Sequence, residues 1–260
     1  MPGYLRLSDF LAAHPSDPNI APPLVHVTEG VNLPGILADG FLDPDKSTLL
    51  EDNNAVYLSV GKPAFLLKPK AHADFYDAPV VFVFSKKAYH TIDRMFPMDG
   101  GAFASGRYDN ILGAIDREQM QVSPDRSSVA AIIDVFFGSV RDYERSLART
   151  PDDVQTRFNV LPTGFRVLAL AALYSATRTD RLDDRKSTIE ASSSKPVPID
   201  STMLHGIILP EEWLSDYDIR RPLTDIGCIV ESYELYPISR SHYQSELYRL
   251  TRLITRTMAE

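Results

Sequence analysis

Cysteine is nearly missing from this chain: Cys228 stands alone, which excludes an internal disulfide and a cysteine-built zinc cluster. Long apolar runs are missing too. None approaches the ~20 residues that span a bilayer, and the opening MPGYLRLSDFLAAH lacks the apolar core of a secretion signal. These absences predict a soluble, cytoplasmic protein in a reducing setting, with no membrane partner. Positive charge is in deficit as well. Lys and Arg number 27 against 35 Asp and Glu, a formal net charge of −8. No general basic surface is therefore available to grip phosphate backbones, and non-specific duplex binding would need a local patch acting against that field. The familiar catalytic signatures are absent: there is no Walker loop, no His-Glu-x-x-His and no Gly-x-Ser-x-Gly elbow. The six histidines (14, 26, 72, 90, 205 and 242) are scattered without ligand spacing on a helix face, so no metal site is expected.

What is present is apolar substance. Hydrophobic residues make up 44 % of 260 positions, enough for one large domain or a domain with a sizeable insertion. Ser8 is placed to cap a helix through Ala13, which His14-Pro15 stops. Leu24 to Val27 is β-like. Asn32 is placed to cap the helix LPGILAD, and Gly40 closes it. NNAVYLSV (53–60) alternates as a strand, and PVVFVFS (79–85) has the continuous apolar texture of a strand buried on both faces. The spacing in 128–148 predicts a helix capped by Ser127 or Ser128, and 164–177 predicts a second, well-buried helix. A charged, then serine-rich stretch follows, with a strand around Ser187–Ala191. LHGIILP (204–210) and IGCIVESYEL (226–235) read as strands, and SHYQSELYRLTRLITRTMAE as a C-terminal amphipathic helix. Strands flanking a helical middle indicate an α+β fold.

A dispersed set of residues could carry chemistry. His26 and Thr28 alternate along the first strand and share a face. The imidazole either meets a ligand amide or sugar hydroxyl, or is a core histidine tied to backbone. Tyr57 and Ser59 also share a face, as a stacking ring and a polar hydroxyl or as ordinary strand residues. Glu190 follows Thr188 by two residues on the same face, and is either functional or a solvated edge glutamate. MFPMDGGAFASGRY (95–108) holds three glycines and reads as a long loop, lining a site or packed on the surface.

Taken in order, these segments resemble the ADP-ribosyltransferase superfamily, in its His-containing branch. That branch holds the poly(ADP-ribose) polymerase catalytic domains, the RNA 2′-phosphotransferases and the bacterial toxins that modify DNA. VHVTEGVNLPGILADGFL is similar to the opening of those domains, a His-x-Thr strand end followed by an Asn-Leu-x-x-Ile-Leu-x-x-Gly-Leu helix. AVYLS resembles the second motif, and DRKSTIEASSSKPVPIDSTMLHGIILPEEW the third, where a strand glutamate precedes a Val-Pro connection. The resemblance covers about half the chain. It implies a single domain over 1–260 with a split β-sheet core and a C-terminal helix. The stretch 123–180, which has no counterpart in the family, becomes a helical insertion.

The resemblance also implies NAD as substrate and no metal. His26 would contact the nicotinamide-side ribose and Thr28 would support the adjoining turn. Tyr57 would stack on nicotinamide and Ser59 would bond its carboxamide. Glu190 would hold the ribose 2′-hydroxyl and stabilise the developing oxocarbenium charge. Glu231, in CIVESYEL, competes for that role, with Glu190 favoured by Thr188 and the Val-Pro downstream. Arg94 and Arg107 are candidates by position for the cofactor-side arginine of the toxins. The implied function is transfer of ADP-ribose to a macromolecule, protein or nucleic acid, suiting a toxin or phage-defence effector with a possible antitoxin or regulatory partner. RNA 2′-phosphate removal, NAD hydrolysis and a non-catalytic interaction module are the alternatives.

Overall fold

PVVFVF is apolar at every position, and every one of its residues is buried in the strand it forms. The computed structural model describes residues 4–44, 54–64, 74–177, 183–235 and 240–259. Asn53 and 178–182, which figure in the sequence readings, lie outside that set. In chain order the described strands are β1 (Leu24–Glu29), β2 (Phe41–Leu42), β3 (Val56–Val60), β4 (Pro79–Phe84), β5 (Arg94–Phe96), β6 (Glu190–Ser193), β7 (Val197–Pro198), β8 (Leu204–Pro210) and β9 (Ile229–Tyr233). The helices are α1 (Leu7–Ala13), α2 (Leu33–Asp39), α3 (Gly100–Ala104), α4 (Asp109–Leu112), α5 (Arg126–Phe136), α6 (Val140–Glu144), α7 (Pro151–Phe158), α8 (Phe165–Ser175), α9 (Tyr217–Ile226) and α10 (Arg240–Arg256). The fold is mixed α+β, as the sequence predicts.

The chain forms two compact units, each discontinuous in sequence: Met1–Ala21 with Ile92–Ser192, and Pro22–Thr91 with Ser193–Glu260. The second unit carries strands in the order β3-β1-β4-β8-β9, antiparallel except for the parallel pair β8–β9. One face of this sheet presents Val25, Val81, Val83 and Ile208 to Leu247, Leu250 and Ile254 of α10. The amphipathic pattern that predicts the C-terminal helix thus has a partner. Gly206 keeps that approach close: a Cβ there would stand 2.7 Å from Ile254 Cγ2. Gly40 ends α2 at φ 75°, as its position in the sequence predicts. Asn32, however, does not cap α2. Its amide reaches back instead and donates to Thr28 Oγ1 at 2.9 Å.

The first unit is mostly helical, with β5 and β6 paired antiparallel. Its described residues include 4–21 and 92–122 as well as 123–177 of the expected insertion. The single helix expected over 128–148 is two. α5 stops at Phe136, Gly138 turns the chain at φ 82°, and Ser139 caps α6. The apolar spacing runs straight through this break, so periodicity does not register it. Arg149 secures it by donating to the Asp134 and Val135 carbonyls, the latter at 2.7 Å, and so satisfies the end of α5. Asp125, rather than a serine, caps α5 by accepting from Ser128 N at 2.8 Å. Helix α1 begins at Leu7, one residue before the expected Ser8 cap.

The 95–108 stretch is more regular than a loop, holding the end of β5 and all of α3, and the strand expected at 187–191 is β6, starting at Glu190. Helix α7 was not expected at all. A capping box starts it: Thr150 Oγ1 accepts from Asp153 N, and Asp153 Oδ2 accepts from Thr150 N, both at 3.2 Å. Thr150→Ala is expected to cost about 1 kcal/mol, read as a thermal midpoint lower by about 2–4 °C in calorimetry. No change would mean that packing alone starts the helix.

Candidate active site

His26 lies on β1 in the second unit, and its Nδ1 meets the main-chain carbonyl of Tyr57 at 2.8 Å. A carbonyl only accepts, so Nδ1 carries the proton and Nε2 is the acceptor. Burial lowers the imidazole pKa and outweighs the carbonyl bond, which raises it. The ring is therefore held neutral. Thr28 Oγ1 accepts from Asn32, tying the end of β1 to the turn that enters α2. Ser59 is buried and has one hydroxyl proton, which it donates at 2.5 Å to the Lys62 carbonyl in the turn after β3.

The register then sorts these side chains by face. Leu24 opposes Val60 and Val25 opposes Ser59, so odd-numbered residues of β3 share a face with odd-numbered residues of β1. Tyr57 and Ser59 leave on Val25's side, and His26 and Thr28 on the other. Each pair keeps a common face, as alternation predicts. The two pairs leave opposite faces of the sheet, which does not fit one dinucleotide meeting His26 at its ribose and Tyr57 at its nicotinamide. What His26 meets is Tyr57's backbone. Sequence alternation shows which residues of one strand travel together and is silent on which face of the neighbour they meet.

Glu190 belongs to the first unit, at the head of β6 opposite Phe96 of β5. The segment leading to it is tied down. Lys186 Nζ donates to the carbonyls of Leu173, at 3.0 Å, and Tyr174 at the end of α8, and Ile189 N donates to Tyr143 Oη at 3.2 Å. The Glu190 carboxyl accepts from Gly100 N at 3.0 Å. It fits there because Gly100 has no Cβ; one would stand 2.6 Å from Glu190 Oε1. Asp99 stands next to it, capping α3 by accepting from Ala102 N at 2.6 Å.

The electrostatics of this corner are uneven. The Glu190 residue keeps some exposure, but its carboxyl is desolvated. Burial first, then the Asp99 charge, push its pKa up to about 8, against the opposing pull of the Gly100 bond and Arg117. Around it runs an ionic chain: Asp99 to Arg185 at 3.6 Å, Arg185 to Asp183 at 2.5 Å, and Asp183 to Arg107 at 3.5 Å. Burial opposes the Arg185 cation, but its bond to Asp183 and the charge of Asp99 more than offset that and raise its pKa. Tyr108 is buried beside the same carboxylates, and desolvation, then Asp99 and Asp183, raise its phenol pKa. Its hydroxyl has no hydrogen-bond partner among the described residues.

The rival glutamate, Glu231, is half-buried on β9, opposite Ile208 of β8, in the second unit. Of the two arginines picked by position, Arg107 joins the ionic chain, whereas Arg94 pairs with the exposed Glu118 at 3.1 Å. Sequence reasoning passes over Asp99 and Arg117, the charged groups that act on Glu190, and over Arg185, which pairs with Asp99. An aspartate before Gly-Gly is a helix-cap signal and could have marked Asp99; nothing in the spacing marks the arginines. Among the described residues no group of His, Cys, Asp and Glu side chains is placed to hold a metal ion, and no helix is long and apolar enough to cross a membrane. No protein-family model, curated protein or solved structure matches the chain.

Proposed function

We propose that the protein is an NAD-dependent ADP-ribosyltransferase in which the Glu190 carboxyl acts at the reacting sugar. The observation that carries this reading is a carboxyl taken out of water on a strand end, held by one backbone N–H beside a second carboxylate. As nicotinamide leaves, positive charge spreads over the ribose C1′ and ring oxygen. A carboxylate held in a desolvated site opposes that charge more strongly than one in water. The free protein keeps Glu190 largely protonated at neutral pH, and the cationic nicotinamide ring of NAD would favour its ionisation on binding. The acceptor in this reading is a cytoplasmic macromolecule. The net charge of −8 disfavours duplex DNA and leaves protein, RNA, single-stranded DNA or a small molecule.

The test is nicotinamide release from NAD by the purified protein, alone and with DNA, RNA or cell lysate. Release that depends on Glu190 supports the reading, and release that persists in Glu190→Gln moves the role to Glu231. A second reading, a non-catalytic interaction module, is favoured by the engagement of His26 with the Tyr57 carbonyl and of Ser59 with the Lys62 carbonyl. Those are structural duties. Absence of release under all of these conditions removes the transferase reading.

A further inference from the structure

Arg117 sits in the 3-10 turn Arg117–Met120 of the first unit. Its guanidinium carbon lies 4.6 Å over the ring of Phe96, the residue paired with Glu190 across β5 and β6. Its Nε is buried and has no hydrogen-bond partner among the described residues. A Cβ built on Gly100 would stand 3.7 Å from that Nε and 2.6 Å from Glu190 Oε1. The carboxyl thus fills the place a side chain on Gly100 would take, and the unpaired donor stands beside that same place. The charged groups acting on Glu190 are Asp99, from the cap of α3, and Arg117 itself. Asp99 is in turn paired with Arg185 at 3.6 Å.

We propose that Arg117 is the positioning residue of Glu190: when the carboxyl gives up its proton, Arg117 Nε–H turns from the Phe96 ring toward it, beside Gly100, and donates to it. The pairing satisfies an orphaned donor and a desolvated carboxylate together, which a bare carboxylate beside Asp99 would not achieve. Arg117 therefore lowers the pH at which Glu190 becomes usable, against the burial and the Asp99 charge that raise it. The link to catalysis rests on the transferase reading; the pairing itself does not.

The test is a carbon-13 carboxyl NMR titration of glutamate-labelled protein, with the Glu190 signal identified by its loss in Glu190→Gln. Glu190 of the unmodified protein should titrate near 8. Arg117→Gln should raise that midpoint by about one unit or more, a roughly tenfold smaller ionised fraction at a given pH, and Arg117→Lys should return it to within about half a unit. In the unmodified protein the Arg117 Nε–H resonance should shift with the same midpoint, a readout that needs no variant to fold. A Glu190 midpoint unmoved or lowered by Arg117→Gln, or an Nε–H resonance that ignores the titration, overturns the pairing. Nicotinamide release, measured in parallel, judges the enzyme separately. Release without the NMR coupling sinks only the pairing, and coupling without release sinks only the transferase.

Discussion

Glu190→Gln is expected to slow nicotinamide release from NAD by about 10²–10³-fold and, at alkaline pH, to make the first unit more stable than the parent. The two effects have one source. Gln keeps an oxygen to accept from Gly100 N, so the packing at the head of β6 survives, but it cannot ionise. In the parent, folding raises the Glu190 pKa from 4.5 to about 8. The folded state then holds a proton that the unfolded state has already released. Stability is consequently whole below about pH 4.5 and falls as pH climbs toward 8. At one pKa unit per ~1.4 kcal/mol, and with allowance for residual solvation, the full difference is on the order of 3 kcal/mol.

Thermal melts of parent and Glu190→Gln should coincide near pH 4 and separate by about 5–10 °C near pH 9, the variant higher. Over the same range kcat/KM of the parent should rise with a midpoint near 8, because that ratio reports ionisation of the free enzyme. The variant should show a flat, depressed profile. Melts that separate with the variant lower would mean that Glu190 is stabilised as a carboxylate in the fold. The desolvated-carboxyl argument would then fail with them.

How far the sequence reveals this site depends on the range of the interactions that build it. Local pattern carries β4, α8 and α10: a continuous apolar texture marks the first two, and an apolar stripe marks the third. Gly40 is legible for the same reason: a positive φ just past a helix is a local demand. Glu190 emerges as a candidate from Thr188 and the downstream Val-Pro. The groups that give its carboxyl its character do not emerge, since Gly100 meets it across 90 residues of chain, and such an approach leaves no spacing to read. The same limit applies to His26. Its face on β1 follows from alternation, whereas its partner, the Tyr57 carbonyl, follows from a register set by Leu24–Val60 and Val25–Ser59. A register shifted by one residue would have placed Tyr57 on His26's face with no change in either strand's pattern. The break at Gly138 shows a third kind of loss: a helical stripe persists across it, while one glycine and one arginine decide that the helix ends.

Phe82→Ala should be the most damaging single truncation in the second unit. Phe82 lies on β4, between β1 and β8, opposite His26 on one side and Ile207 on the other, and is fully buried. Cutting its ring back to a methyl group removes apolar surface from the middle strand of the sheet. The hole it leaves cannot close, because neighbours on both sides are held by ladder bonds. The expected loss is about 3–5 kcal/mol, a large share of the ~5–15 kcal/mol that typically holds a domain together, seen as a lower urea midpoint with little change in slope. A second readout ties the core to the candidate site. The Phe82 and His26 rings lie 6.2 Å apart between centroids, and burial is the main cause of the lowered His26 pKa. Water admitted beside the imidazole should move that pKa back up toward 6.5, as followed by proton NMR of the ring. The parent, with His26 buried neutral, loses some stability as pH falls below 6.5, and Phe82→Ala should lose less of it. A truncation costing under about 1 kcal/mol would show that this face of β4 is solvated rather than packed, and would leave His26 without the low-dielectric wall that keeps it neutral.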